Sequence, residues 1–148
     1  NQNVKLILDE IFNGAYAVWD EGLGWLAFRF IRPGMNDGYP TSCKAWGPAK
    51  DVVSMWIPVI GNTHNETLAL ASGSHKQDYE KFLPQDGKFC RDEYRLRNPE
   101  KVAFIRPDLS NNEVITYHPN TLHSEDVEKS NVSRLNLEIR FHSTIETN

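Results

Sequence analysis

Asn131-Val-Ser-Arg-Leu-Asn-Leu-Glu-Ile-Arg-Phe141 decides the fold. From Ser133 to His142 the residues alternate strictly. Leu135, Leu137, Ile139 and Phe141 fall on one side, and Arg134, Asn136, Glu138, Arg140 and His142 on the other. A period of two is the signature of a β-strand with two unlike faces. Periodicity by itself favours the polar face toward water, because charged side chains are rarely buried. The alternative is a polar face that lines a ligand cavity, with Arg134 aimed into it. Just upstream lies Asn112-Glu-Val-Ile-Thr-Tyr-His-Pro-Asn-Thr-Leu-His-Ser-Glu-Asp126, which puts His123 past the end of another strand and eleven residues before Arg134. One imidazole is suited to holding a metal, and one guanidinium to clamping a carboxylate.

Working outward, most of the chain reads as short strands separated by turn signals. Gly24–Ile31 (Trp25, Leu26, Phe28, Phe30, with Arg29 among them), Asp51–Ile60, Thr67–Ala71, Lys101–Ile105 and Glu113–His118 are expected strands. Pro58 points to an edge strand or a strand end. Arg32–Thr41 is dense in Gly, Pro, Asn and Asp and reads as a loop. Val4, Ile7, Leu8, Ile11 and Phe12 recur at helical spacing, so residues 3–12 are expected to form an amphipathic helix stopped at Gly14, within a helical N-terminal part over 1–23. Residues 76–101 are highly charged and read as an insertion with one short helix at 76–82. The sum is a mainly β protein, a barrel or sandwich with a helical addition, in one domain over 1–148.

Composition narrows the function classes. A chain of 148 residues with 39% hydrophobic and 24% charged residues is an ordinary globular protein with enough length for a core. A net charge of −4 argues against a general nucleic-acid binder. No apolar run reaches the length of a membrane span, so no membrane partner is expected. Cys43 and Cys90 stand far apart in no CxxC pattern, which reads as two free thiols in a reducing, cytoplasmic setting rather than a zinc ribbon or disulfide framework. The two sequons, at Asn65 and Asn131, are read as chance triplets.

Five pieces in order, Trp56-Ile-Pro-Val59, Leu68-Ala-Leu-Ala-Ser-Gly-Ser-His75, Glu113-Val-Ile-Thr-Tyr-His-Pro-Asn-Thr-Leu-His123, Asn131-Val-Ser-Arg134 and Ile139-Arg-Phe141, resemble the phytanoyl-CoA dioxygenase-like family. The resemblance spans about residues 50–142 apart from the charged insertion. It implies a double-stranded β-helix, a jelly-roll or cupin-like barrel, that uses Fe(II) and 2-oxoglutarate to hydroxylate a small molecule. It places His123 at the distal iron-binding histidine and Arg134 at the arginine that grips the far carboxylate of 2-oxoglutarate. It makes His75 a structural residue in the turn after a core strand.

The resemblance breaks at the family's His-x-Asp ligand pair. The window that should hold it, Asn36–Trp46, contains no histidine; the five histidines all lie downstream. Asp37 is the carboxylate on offer there, within an Asn-Asp-Gly turn signal. His123-Ser-Glu125 is itself a His-x-carboxylate pair, although Glu125 reads more simply as a solvated loop residue and His118 as a satisfied strand-end histidine. Lys44 offers a cation in place of a metal. A degenerate relative that binds without redox chemistry would then hold an anionic or sugar-like ligand with Arg134, Lys44, Trp46 and Tyr39, and would need no cofactor. Two further readings are a cupin-type isomerase using His118 or His123 with Tyr117, and a plain interaction module. Shared ancestry does not carry an activity across missing ligands.

Overall fold

The computed structural model describes residues 2–18, 26–33, 41–43, 52–63, 66–82, 93–109, 113–125 and 131–145. The N-terminal helix α1, Gln2–Phe12, forms as the spacing predicts, and Leu8 and Phe12 are its buried residues. It stops because Asn13 and Gly14 both turn left-handed, with the Gly14 amide donating back to the Asp9 carbonyl. The expected helical N-terminal part ends there. β1 (Tyr16–Val18) follows at once and pairs with the last strand.

Two antiparallel five-stranded sheets carry the rest. The first is built on β10 (Arg134–Ser143), which lies between β4 (Val52–Ile60) on one side and β1 and β2 (Leu26–Ile31) on the other, with β8 (Ile115–Tyr117) beyond β4. The second runs β5 (Ala69–Leu70), β9 (His123–Ser124), β3 (Thr41–Cys43), β7 (Glu93–Leu96), β6 (Lys81–Phe82). The sheets face each other: Trp56, Ile115 and Tyr117 of the first pack with Leu68, and with half-buried Leu70, of the second. Ala71, Leu96 and Leu122 close the second sheet from behind its turns. The mainly β character expected from the strand pattern is what is found, and its antiparallel sheets are consistent with the cupin-like fold that the resemblance implies.

Several local expectations are corrected. The segment 76–82 holds no α-helix; a 3-10 turn spans Ser74–Lys76, and Lys81–Phe82 is a strand. Within the charged 76–101 stretch, Lys81–Phe82 and Glu93–Leu96 join the second sheet as β6 and β7, while 83–92 lie outside the described residues. Lys101–Ile105 makes no full strand; Ile105 forms a single bridge to Leu70. Thr41–Cys43, adjoining the predicted loop, pairs on both sides. β4 is an inner strand despite Pro58, because β8 reaches only Ser54–Trp56 and β10 shifts register between Leu135 and Asn136, opposite the proline.

The main correction concerns orientation. On β10 the polar positions Arg134, Asn136, Glu138 and Arg140 are the buried ones. The apolar positions Leu135, Leu137 and Ile139 lie half-buried on the opposite face. Helix α1 covers one end of that outer apolar face, with Leu8 and Phe12 against Met55, Phe141, Ile139 and Ile57. Beyond the helix the face is open, and Phe28, Phe30, Val59 and Ile60 stand in solvent. Periodicity located the two faces correctly, but it assigned the polar one to water by the usual rule.

Gly61 sets the start of β10. It leaves β4 with φ +76°, and a Cβ on it would collide with the Ser133 carbonyl oxygen, one residue before Arg134. Gly61→Ala should therefore lower stability by about 2 kcal/mol or more, from the left-handed backbone and the clash together. Urea unfolding of the variant against the parent checks this; an unchanged midpoint would mean the two chain ends do not approach as described.

Candidate functional site

The inward faces of the two sheets meet in a polar cluster. Glu138 lies at its centre, 3% exposed. The Arg140 Nη2 donates to its Oε1 at 2.8 Å, the Tyr117 hydroxyl to the same oxygen at 3.0 Å, and the Arg29 Nη2 to its Oε2 at 3.4 Å. Alternation along β10 and β2 puts these groups there: Glu138 and Arg140 are two apart on one face, and Arg29 is the inward residue between outward Phe28 and Phe30. Burial pushes the Glu138 carboxyl upward, but Arg140 and Arg29 outweigh it and hold it below the ordinary glutamate value.

Glu125 is the second carboxylate. Its Oε1 accepts from the Trp56 indole Nε1 at 2.9 Å, and its Oε2 lies 3.9 Å from the Arg29 Nε. Burial raises its pKa, with Arg29 and Trp56 opposing only in part. The reading of Glu125 as a solvated loop residue is thus overturned. It is nearly enclosed, because Arg134 pulls its backbone inward.

Arg134 is 1% exposed, donating from Nη1 to the Glu66 carbonyl at 2.6 Å and from Nη2 to the Glu125 carbonyl at 3.0 Å. These two bonds fix the plane of the guanidinium and tie the turn before β5 to the segment after β9. His123, 4% exposed, opens β9, two residues before Glu125. Its Nδ1 pairs with the Thr121 carbonyl at 2.7 Å, which places the ring proton on Nδ1 and the lone pair on Nε2. Burial is the largest influence on its pKa and lowers it, so the ring stays neutral. The Tyr117 ring packs against it with centroids 5.0 Å apart. His123 and Arg134 therefore both lie inside, on one connected network.

His75 and His118 belong to the turns that hold His123. Their rings stack at 5.0 Å, the Asn120 amide donates to the His118 Nδ1, and the Ser74 hydroxyl accepts from the Leu122 amide at 2.8 Å. Of the other residues singled out from the sequence, Asp37, Tyr39, Lys44 and Trp46 lie outside the described residues. Sequence reasoning missed Arg29, Glu138, Arg140 and Asn136. The signal was present in the even positions of β10 and in the lone arginine of β2, but both read equally well as solvated.

Among the described residues no whole metal site is assembled. His123 has the tautomer a metal needs. Across the ladder its register partner is Thr41, on a strand of Thr, Ser and Cys. Glu125 and Glu138 are engaged with Trp56 and guanidinium groups, and among the described residues no three His, Cys, Asp or Glu side chains gather as a metal site.

No family model and no curated protein matches the chain. Solved structures do. AviO1 from Streptomyces viridochromogenes Tue57 is similar at TM-score 0.61 and 14% identity, over 100% of this chain and 60% of that one. The non-heme alpha ketoglutarate dependent epimerase SnoN from nogalamycin biosynthesis is similar at TM-score 0.57 and 13% identity, over 95% and 52%. SnoN in complex with Fe3+, alpha ketoglutarate and nogalamycin RO gives TM-score 0.58 and 11% identity, over 95% and 55%. The chain spans between half and three-fifths of the length of these structures. At such identities the likeness is one of fold, shared with enzymes that include an iron- and 2-oxoglutarate-dependent epimerase. No described helix is long and apolar enough to cross a membrane.

The two buried carboxylates should respond oppositely to removal of their charge. The Glu138 pKa is depressed by folding, so its stabilisation is present above the ordinary glutamate value near 4.5 and is lost as pH falls through the folded value. Glu138→Gln should cost about 3 kcal/mol or more at neutral pH, because it takes a buried counter-charge from Arg140 and Arg29, and the deficit should shrink in acid. The Glu125 pKa is raised, so its contribution is present below the ordinary value and is lost as pH rises through the folded value. Glu125→Gln keeps an acceptor for Trp56 and should be neutral or stabilising at pH 7. Denaturation of both variants between about pH 4 and pH 8 measures the two opposite slopes.

Proposed function

We propose that this chain forms a double-stranded β-helix of the phytanoyl-CoA dioxygenase-like kind and acts on a small molecule as an Fe(II)- and 2-oxoglutarate-dependent oxygenase. In this reading His123 is one iron ligand, Arg134 receives a carboxylate of 2-oxoglutarate, and Asp37 is the carboxylate offered by the sequence for a second ligand. One observation carries the reading: a neutral, tautomer-fixed imidazole and a plane-fixed guanidinium are both buried on the same inner network, in a fold shared with enzymes of this chemistry. Bound iron and 2-oxoglutarate would supply oxidation of a C–H bond by O₂. What this chain's own residues supply is narrower. Thr121 holds the His123 proton on Nδ1, burial keeps the ring neutral, and Arg134 is pre-organised for a planar anion. Tyr117 packs against the imidazole.

A second reading is favoured by one specific observation. The strand beside His123 carries Thr41, Ser42 and Cys43 in place of ligands. The same interior would then bind an anionic or sugar-like ligand without redox chemistry, with Lys44, Trp46 and Tyr39, which flank that strand in the sequence, as further contacts and no cofactor. The partner in both readings is a small molecule.

Metal analysis separates them. The oxygenase reading expects about one Fe(II) per chain after anaerobic loading, lost in His123→Ala with the fold retained by circular dichroism, and 2-oxoglutarate binding weakened at least about tenfold by Arg134→Lys. Absence of stoichiometric iron in the parent protein would remove the oxygenase reading and leave the binding one.

A further inference from the structure

The outer face of the first sheet is apolar across three strands. The register sets Phe28 beside Leu137 and Leu137 beside Ile57, then Phe30 beside Leu135 and Leu135 beside Ile60. Register partners in an antiparallel pair share a face, so these two rows make one surface. At the Ile57 end, and in the next row at Ile139 and Met55, the surface meets α1. Away from the helix, Phe28 is 69% exposed, Phe30 58% and Ile60 64%. The charged residues of the same strands do not interrupt it. Arg134, Glu138 and Arg140 turn to the inner face, and Arg29 reaches inward to Glu138.

The extent of the surface matches half of a dimer interface. With about 200 Å² for a phenylalanine and somewhat less for an aliphatic residue, the two rows and the neighbouring Val59 and Val132 expose on the order of 500 Å² of apolar area. A stable interface takes about 800 Å² from each partner, and in homodimers about two-thirds of it is apolar. The chemistry of the face narrows the occupant further. An uncharged surface offers no grip to a nucleic acid or a charged peptide, and a net charge of −4 disfavours an anionic membrane. A two-fold axis brings such a face onto its own copy. The step formed by α1 is compatible with this. A helix is about 10 Å thick and packed sheets lie about 10 Å apart, so an axis running across the strands lays the two open ends together with one helix at each outer end.

We propose that this face is the interface of a two-fold dimer of this chain, with β2 lying over β2 and the two Phe28–Phe30 pairs meeting at its centre. The proposal rests on the outer face alone and is independent of what the interior binds.

Sedimentation equilibrium of the full chain, from about 1 to 200 µM at neutral pH, tests it. The expected result is a limiting mass of two chains with a dissociation constant of about 10 µM or tighter. Phe28→Glu and Phe30→Glu should each weaken association at least about tenfold. The double variant should be a monomer that keeps the circular dichroism and unfolding temperature of the parent protein, since both side chains are more than half exposed. Ile105→Glu, at a residue 59% exposed on the bridge to Leu70 and outside this face, should associate like the parent. A monomer at the highest concentration overturns the proposal, and so does a mass that climbs past two chains. A dimer that survives the double variant, or one that Ile105→Glu dissociates as strongly, overturns it too. So does a monomer that sediments with neutral phosphatidylcholine vesicles, which would assign the face to a lipid surface.

Discussion

The structure depends on the bonds around Glu138. A buried carboxylate next to Arg140 and Arg29 is tolerable because the charges offset each other and Tyr117 supplies a further donor. The desolvation of such a group is expensive, and only close opposing charge makes it recoverable. With that network in place, a strand of alternating polarity can turn its polar side inward. Without it, β10 would be more stable flipped, with Leu135, Leu137 and Ile139 in the core. The network also joins three strands, β2, β8 and β10, at their inner faces, so it holds the sheet and defines the interior at once.

Inversion of β10 explains the remaining architecture. The apolar side of the first sheet needs its own cover, and α1 provides part of it by packing Leu8 and Phe12 on Met55 and Phe141. The part that α1 does not reach leaves Phe28 and Phe30 in solvent. The core is thus divided: one apolar layer lies between helix and sheet, and a mixed layer lies between the two sheets. In the mixed layer, Trp56 serves both purposes, packing on Leu68 while its indole nitrogen satisfies Glu125.

The site is held by backbone as much as by side chains. Arg134 grips carbonyls of two turns, Thr121 sets the His123 tautomer, and Ser74 caps the amide just before His123. These contacts hold a buried imidazole and a buried guanidinium in fixed orientations. They leave iron short of ligands among the described residues. A fold similar to that of an alpha ketoglutarate dependent epimerase supplies the scaffold, and the residues on it determine the chemistry.

Local spacing in the sequence was enough to establish the helix at the N-terminus, the β character, the two faces of the last strand and the special standing of His123 and Arg134. Those features arise from periods of 3.6 and 2 and from side-chain chemistry, which neighbours in the chain determine. Which face of β10 turns inward was a tertiary decision, because it depends on Arg29, Tyr117 and Arg140 converging on Glu138 from three strands. Burial of Glu125 was equally hidden, since it follows from the hold of Arg134 on a carbonyl nine residues away. The charged stretch 76–101 looked like an excursion because strand pairing by backbone leaves no mark in composition. A charge is written the same way in the chain whether it meets water or an opposite charge, and only the assembled sheets distinguish the two.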